Sequence, residues 1–114
     1  MRTITIEVSS VRKSLGRFRR AWKTRESQGE FISFDSLDTL LKTLTSKRWE
    51  LLRTLQAHGP MSIRALAREL GRDVKNVHAD VRALTDVGLI EKGGRFIRVP
   101  FDEIRTEFVV RSAA

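Results

Sequence analysis

The chain has 114 residues, the length of one domain or of one domain with an extension. Its 22 Lys and Arg against 14 Asp and Glu give a formal net charge of +8, which favours a polyanionic partner. The absence of cysteine excludes disulfides and thiolate metal sites. No apolar run reaches the roughly 18 residues of a membrane span, and the N-terminus has no signal-peptide core. We therefore expect a cytoplasmic protein with no membrane partner.

The first 35 residues are predicted to form an extension made of a strand and a basic helix. Thr3 to Val8 alternates polar and β-branched apolar residues, which is typical of a half-buried strand. Ser9 or Ser10 is then predicted to cap a helix. One side of this helix is apolar and carries Val11, Leu15, Phe18 and Trp22. The other side is basic and carries Arg12, Lys13, Arg17, Arg19, Arg20, Lys23 and Arg25.

Three roles stay open for this basic helix. Its apolar side could pack on the rest of the protein or on a second subunit, with the charges merely solvated. Its clustered Arg and Lys could instead bind phosphates of a nucleic-acid backbone. A basic amphipathic helix could also attach to a membrane surface.

A short strand and two helices are predicted next. Phe31 to Phe34 is the strand candidate. Asp35 or Ser36 is expected to cap the first helix, whose apolar face would carry Leu37, Leu40, Leu41 and Leu44. Thr45 or Ser46 is expected to cap the second, with Trp49, Leu52 and Leu55 turned inward. That helix should end at His58-Gly59-Pro60, because Gly suits a left-handed position and Pro cannot continue a helix.

The stretch from Met61 to Ile90 holds two apolar helical patterns separated at Gly71. The first pattern places Ile63, Leu66, Ala67 and Leu70 on one face. Ser62 is expected to cap this helix and Gly71 to end it. The second pattern consists of Val74, Val77, Val81, Leu84 and Val87, followed by Gly88. Two short helices joined this tightly predict a helix-turn-helix.

The outer side of the second helix carries polar or small side chains that can address base edges. They are Lys75, Asn76, His78, Ala79, Asp80 and Arg82. Downstream, Gly93-Gly94 separates two strand-like runs, which indicates a hairpin. Lys92 and Arg95 flank the turn, so the hairpin has the basic character of a wing.

The stretch from Thr45 to Val99, with its "GLI" string before the wing, resembles a winged helix-turn-helix of the MarR-like and ArsR-like regulators. The strings FDSLDTLLKTLTSKRWELLRTL, SIRALARELGRDVKNVHADVRAL and IRVPFDEI are similar to a group of short prokaryotic DNA-binding proteins often encoded beside small toxin genes. The resemblance covers Phe34 to Ile104. It implies an α+β fold with the winged domain at residues 36–99. It also implies a homodimeric repressor that binds double-stranded DNA. This repressor would be of the antitoxin type, regulating its own gene and binding a toxin.

We expect the helix from Asp73 to Val87 to enter the major groove of DNA. The predicted base contacts are Lys75, Asn76, His78, Ala79 and Asp80. The predicted backbone contacts are Lys47, Arg48, Ser62, Arg64, Arg72, Arg82, Lys92 and Arg95. The alternative for these side chains is a solvated surface. Asp80 is unfavourable near DNA unless it accepts from cytosine or orients a neighbouring Arg or Lys, so a structural role stays open for it.

The last segment, residues 100–114, is predicted to hold one more strand. Pro100 to Glu103 breaks the pattern of the wing, and Ile104 to Val110 alternates apolar with mostly polar residues. A lone strand is unstable in water. This strand is therefore expected to pair with Thr3 to Val8, within one chain or across a dimer.

Enzyme chemistry finds little support in the composition. Two histidines, no cysteine, no tyrosine and no Gly-rich phosphate loop leave no evident triad, metal cage or nucleotide site. We expect no catalytic activity, no metal and no cofactor. Two alternatives to the antitoxin remain: a MarR-like repressor without a toxin partner, and a winged helix that binds RNA or another protein.

Overall fold

The computed structural model describes residues 1–9 and 29–112. The predicted basic helix after Ser9, whose three roles were left open, lies outside these residues. The chain forms two compact units, one of Met1–Arg2 with Thr43–Asp102 and the other of Thr3–Lys42 with Glu103–Ala114. In the first unit, Arg2 and Asp102 are joined twice, by Arg2 N to Asp102 Oδ2 at 2.7 Å and by Asp102 N to Arg2 O at 2.8 Å.

Five strands and four helices are described, and the mixed composition confirms the predicted α+β class. The strands are β1 (Thr3–Val8), β2 (Glu30–Phe34), β3 (Glu91–Gly93), β4 (Phe96–Arg98) and β5 (Glu103–Glu107). The helices are α1 (Leu37–Thr43), α2 (Ser46–His58), α3 (Ile63–Leu70) and α4 (Val74–Val87).

The unit of Thr3–Lys42 with Glu103–Ala114 is built on a three-stranded sheet in the order β2-β1-β5. Both neighbours of β1 run parallel to it, and Ile6 is level with Ile32 on one side and Thr106 on the other. Ile6 is fully buried, which fits the central position of its strand. The predicted pairing of the two terminal strands is confirmed, and it forms within one chain.

One predicted helix cap of this unit is confirmed, and two other details differ from the prediction. Strand β5 ends at Glu107, so its expected extension to Val110 is wrong, and residues 108–110 are exposed outside the strand. Helix α1 begins where Ser36 Oγ accepts from the Thr39 amide at 3.1 Å, as one of the two predicted caps requires. Leu40 on this helix is buried, but Leu41 is 55% exposed. The apolar face predicted for this helix is therefore only partly buried.

The other unit is a helix-turn-helix followed by an antiparallel hairpin. Helix α2 begins where Thr45 Oγ1 accepts from the Arg48 amide at 3.3 Å, and it ends at Gly59 with a φ of 80°. Strands β3 and β4 pair in antiparallel register and form the wing. Two backbone hydrogen bonds between Met61 and Ile97, at 3.0 and 2.8 Å, tie the segment before α3 to β4. The predicted winged architecture is confirmed.

The core of the winged unit collects the apolar sides of its three helices and of the wing. Its fully or almost fully buried side chains are Leu51, Leu52, Leu55, Leu66, Val77, Val81, Leu84, Leu89, Ile90 and Ile97. Burial of each such aliphatic side chain contributes about 1.5–3 kcal/mol. Because α4 contributes only one side to this core, its other side remains available at the surface.

Candidate nucleic-acid interface

The turn between α3 and α4 is fixed by local hydrogen bonds at both of its ends. Ser62 Oγ caps α3 by accepting from the Ala65 amide at 3.1 Å. Gly71 ends α3 in the left-handed conformation, with a φ of 65°, and the Arg72 amide donates to Ala67 O at 3.0 Å. Only three residues, 71–73, separate the two helices. The direction of α4 relative to α3 is thus set by short-range contacts.

Helix α4 has well-defined ends. Asp73 Oδ1 accepts from the Lys75 amide at 2.8 Å, and the negative charge of this carboxylate is favourable at a helix N-terminus. Gly88 ends the helix with a φ of 94°. The predicted helix from Asp73 to Val87 is confirmed, with Asp73 as its cap. Val74 is 43% exposed, so its expected place in the buried stripe is wrong.

The outward side of α4 carries three of the predicted contact residues. At about 3.6 residues per turn, Lys75, Ala79 and Arg82 lie opposite the buried Val77 and Val81. All three are exposed, and so is Asn76 beside them. The outward side of α4 is therefore a surface of polar and small residues.

One flank of α4 faces the wing across a groove. A cavity of about 240 Å³ is lined by His78 and Arg82 from the helix and by Lys92 and Ile97 from the wing. His78 and Arg82 are one turn apart, and both are exposed. The structure thus brings together three predicted contact residues, His78, Arg82 and Lys92, in one groove.

The opposite flank carries a cluster of charged residues that we call the Asp80 cluster, composed of Asp80, Arg48 and Arg72. Arg48 Nε donates to Asp80 Oδ1 at 3.0 Å, and Arg72 Nη2 donates to Asp80 Oδ2 at 2.7 Å. The side chains are only 15%, 22% and 20% exposed, in the order Asp80, Arg48, Arg72. Arg48 Nη1 also donates to Thr43 O at 2.8 Å. Both carboxylate oxygens already accept hydrogen bonds from arginines. This supports the alternative in which Asp80 orients these arginines and does not contact a base.

Electrostatics keeps the Asp80 carboxylate ionised at neutral pH. Burial alone would raise the pKa of Asp80, but hydrogen bonds from Arg72 and Arg48 and the charges of both guanidinium groups outweigh it. The net effect is a pKa below the ordinary aspartate value. Sequence reasoning named all three residues but could not predict that they meet, since Arg48 and Asp80 are 32 positions apart.

One atom of the cluster is left without a partner. Arg72 Nη1 is buried and finds no hydrogen-bond acceptor among residues 1–9 and 29–112. An enclosed donor in this state costs about 1–3 kcal/mol, more when it is charged. Arg72 is therefore the less well satisfied arginine of the pair.

The remaining predicted backbone contacts lie at the surface of the same unit. Lys47 near the start of α2 and Arg64 near the start of α3 are exposed, whereas Ser62 is half-buried and serves as a cap. Lys92 and Arg95 are exposed on either side of Gly94, whose φ of 62° forms the tip of the wing. Arg98 and Glu91 pair across the wing strands at 2.8 Å. These basic residues all lie in the winged unit, but they do not form a single cluster.

Neither a metal site nor a membrane span is found in the described part of the chain. Within residues 1–9 and 29–112, no three His, Asp or Glu side chains are grouped so that they could hold a metal ion. Over the same residues, no helix combines the length and apolar character needed to cross a bilayer.

Comparisons with known proteins identify a family and a similar solved structure. The structure is similar to the homodimeric winged helix-turn-helix DNA-binding domain (fragment 1-100) Mb0332 from Mycobacterium bovis, described as a possible ArsR-family transcriptional regulator. The TM-score is 0.43, with 26% identity, and the match covers 58% of this chain and 71% of that one. No curated protein matches the sequence. The HVO_A0114 family model matches residues 43–106, more than half of the chain, and the protein therefore belongs to the HVO_A0114 family.

Proposed function

We propose that the protein is a sequence-specific, double-stranded DNA-binding regulator that represses transcription, with α4 as its recognition helix. One observation carries this proposal: α4 is capped at both ends, buried along one side and lined on the other by exposed Lys75, Asn76, Ala79 and Arg82. A major groove admits one helix, and an exposed row of this composition is what base readout requires.

The base contacts would come from the N-terminal half of α4. Lys75 can donate to guanine O6 and N7, and Asn76 can bond adenine in a bidentate manner. Ala79 offers a methyl group to thymine, and His78 extends the row toward the wing. Asp80 is assigned a different role, because its two oxygens are already bound to arginines.

Positioning on the DNA backbone would come from the residues around this row. Phosphate oxygens would meet Lys47, Arg64, Arg82 and the amides at the start of α3 beside Ser62. Lys92 and Arg95 at the wing would reach an adjacent groove. The net charge of +8 supports a polyanionic partner in general, while the exposed cations around α4 favour this side of the winged unit.

The finer part of the proposal concerns assembly and partner. We propose a homodimer in which two α4 helices enter major grooves one helical turn apart, so that the operator is palindromic. The likeness of the sequence to proteins encoded beside toxin genes supports an autoregulating antitoxin that also binds a toxin protein. Co-expression with the protein of the neighbouring gene, followed by size-exclusion chromatography, tests directly whether the two proteins form a complex.

The test of DNA recognition is a gel shift on the promoter region of its own gene, with salt varied. Lys75→Ala combined with Asn76→Ala should lower discrimination between the bound site and a scrambled duplex by about 1–3 kcal/mol per lost bidentate contact. Lys47→Ala is the matched control, because loss of a phosphate contact should weaken both duplexes alike.

Two results would contradict the proposal. Unchanged affinity and selectivity in the double variant would show that α4 does not read bases. Tighter binding to a structured RNA than to any duplex, at the same salt, would favour the RNA-binding alternative.

A further inference from the structure

The basic residues of the winged unit differ in how far they are available to a ligand. Lys75, Arg82, Lys92 and Arg95 are exposed. Arg48 and Arg72 are instead bound to one carboxylate, with one guanidinium on each oxygen of Asp80 at 3.0 and 2.7 Å. These two arginines are not part of a solvated surface, because none of the three side chains in the Asp80 cluster is more than 22% exposed.

The geometry turns both guanidinium groups toward the protein. Arg48 is held a second time by Thr43 O at 2.8 Å. Arg72 has its Nη1 enclosed and without an acceptor among the described residues. A phosphate could take Arg48 Nε or Arg72 Nη2 only if these nitrogens left Asp80.

We propose that Asp80 is a positioning residue that keeps Arg48 and Arg72 off the DNA backbone and so limits non-specific binding. This rests on the proposed function. Cations bind phosphates regardless of sequence, so each one withheld lowers affinity for every duplex. On random DNA, a mobile guanidinium can bind a phosphate wherever the protein sits along the duplex. In the cognate complex, the base contacts fix the protein at one position. Withholding these two arginines therefore raises the ratio of specific to non-specific affinity.

The two arginines should not be released equally. Arg48 keeps its bond to Thr43 O when Asp80 is removed. Arg72 loses the carboxylate that accepts from its Nη2, and its enclosed Nη1 gains by moving to any acceptor outside. Arg72 is thus the arginine that a neutral residue at position 80 sets free first.

The direct test is the full-length Asp80→Asn variant on a mixed-sequence duplex, titrated with salt. One additional phosphate contact steepens the slope of log affinity against log salt by about 0.9 and tightens non-specific binding roughly eightfold at 0.1 M salt. Asp86→Asn is the matched control. It removes the same charge from the same helix, and within residues 1–9 and 29–112 the exposed Asp86 side chain holds no arginine. The slope of this control should stay that of the parent.

Two further variants separate release of Arg72 from a loss of structure. Adding Arg72→Gln to Asp80→Asn should return the slope to the parent value. Asp80→Glu keeps the charge, and it should leave the slope unchanged. A merely structural role would lower folding stability in the asparagine variant and leave the salt slope where it was.

The test also works if Asp80→Asn does not fold. In the parent background, Arg72→Gln should leave the non-specific slope unchanged, since Arg72 makes no phosphate contact there. Arg82→Ala should make the slope shallower by about 0.9.

A shallower slope in Arg72→Gln, or an unchanged slope in folded Asp80→Asn, overturns the inference. Both results leave DNA recognition by α4 intact. A parent protein that binds no duplex at all refutes the proposed function itself.

Discussion

Two sides of α4 carry charge in opposite ways. On the outward side, Lys75 and Arg82 are exposed, and neither forms an ion pair with another residue in the described part of the chain. On the neighbouring flank, Asp80 binds Arg48 and Arg72, and all three side chains are mostly enclosed. The same helix therefore holds cations that are available to a ligand and holds others in place through its own carboxylate.

The difference shows that net charge does not measure binding capacity. The count of +8 includes Arg48 and Arg72 on equal terms with Lys75. An arginine held between a carboxylate and a backbone carbonyl has already exchanged water for protein partners, so a phosphate that takes the bound nitrogens must displace those partners. Geometry, and not the sum of charges, decides which residues could act as DNA contacts.

The largest effect on folding should follow from removal of Asp80. Asp80→Ala leaves two mostly buried guanidinium groups without their shared partner, which should lower the free energy of unfolding by about 2–3 kcal/mol. Urea denaturation followed by circular dichroism measures the loss. Asp86→Ala, an exposed acid on the same helix, should change stability by less than about 0.5 kcal/mol. Equal losses in the two variants would mean that the Asp80 cluster contributes no more than a surface charge.

The boundaries of the helix-turn-helix could be predicted because their signals are local. Asp73 caps α4, and Gly71 and Gly88 occupy left-handed positions directly after α3 and α4. Each of these signals acts within a few residues of the backbone groups that it satisfies. The hairpin follows for the same reason, since Gly94 has the positive φ that the turn requires.

The features that sequence analysis missed depend on residues far apart in the chain. Leu41 fits the apolar spacing of α1 but is exposed. Spacing shows which residues share a helix face, but it does not show how much of that face the rest of the protein covers. The parallel course of β1 beside both β2 and β5 is set by tertiary pairing and not by alternation. The Asp80 cluster joins α2, the turn and α4, and no local pattern encodes that meeting.

A smaller effect should appear when pH is lowered, and it sharpens the assignment of the Asp80 cluster. The depressed pKa of folded Asp80 means that its carboxylate stabilises the fold fully above the ordinary value of about 3.8. That contribution is lost as pH falls through the lower folded pKa, when the group takes up a proton. The stability gap between the parent and Asp80→Asn should thus be constant from pH 7 to about pH 5 and shrink at lower pH. A gap that widens on acidification would assign the opposite sign to the interaction.

The smallest effect on folding is expected on the outward side, at Lys75. Lys75→Ala removes an exposed side chain at a position where alanine is the better helix former, so stability should change by less than about 0.5 kcal/mol. Non-specific DNA binding should nevertheless lose about 0.9 from its salt slope, because on random DNA, with no guanine in register, this exposed ammonium meets a phosphate. Arg72→Gln should do the reverse, with a loss of stability and an unchanged slope. Measuring both variants by urea denaturation and by salt titration sets stability against binding on one helix-turn-helix. If both variants changed the same property, either stability or the salt slope, the division between the flank and the outward side of α4 would have no functional meaning.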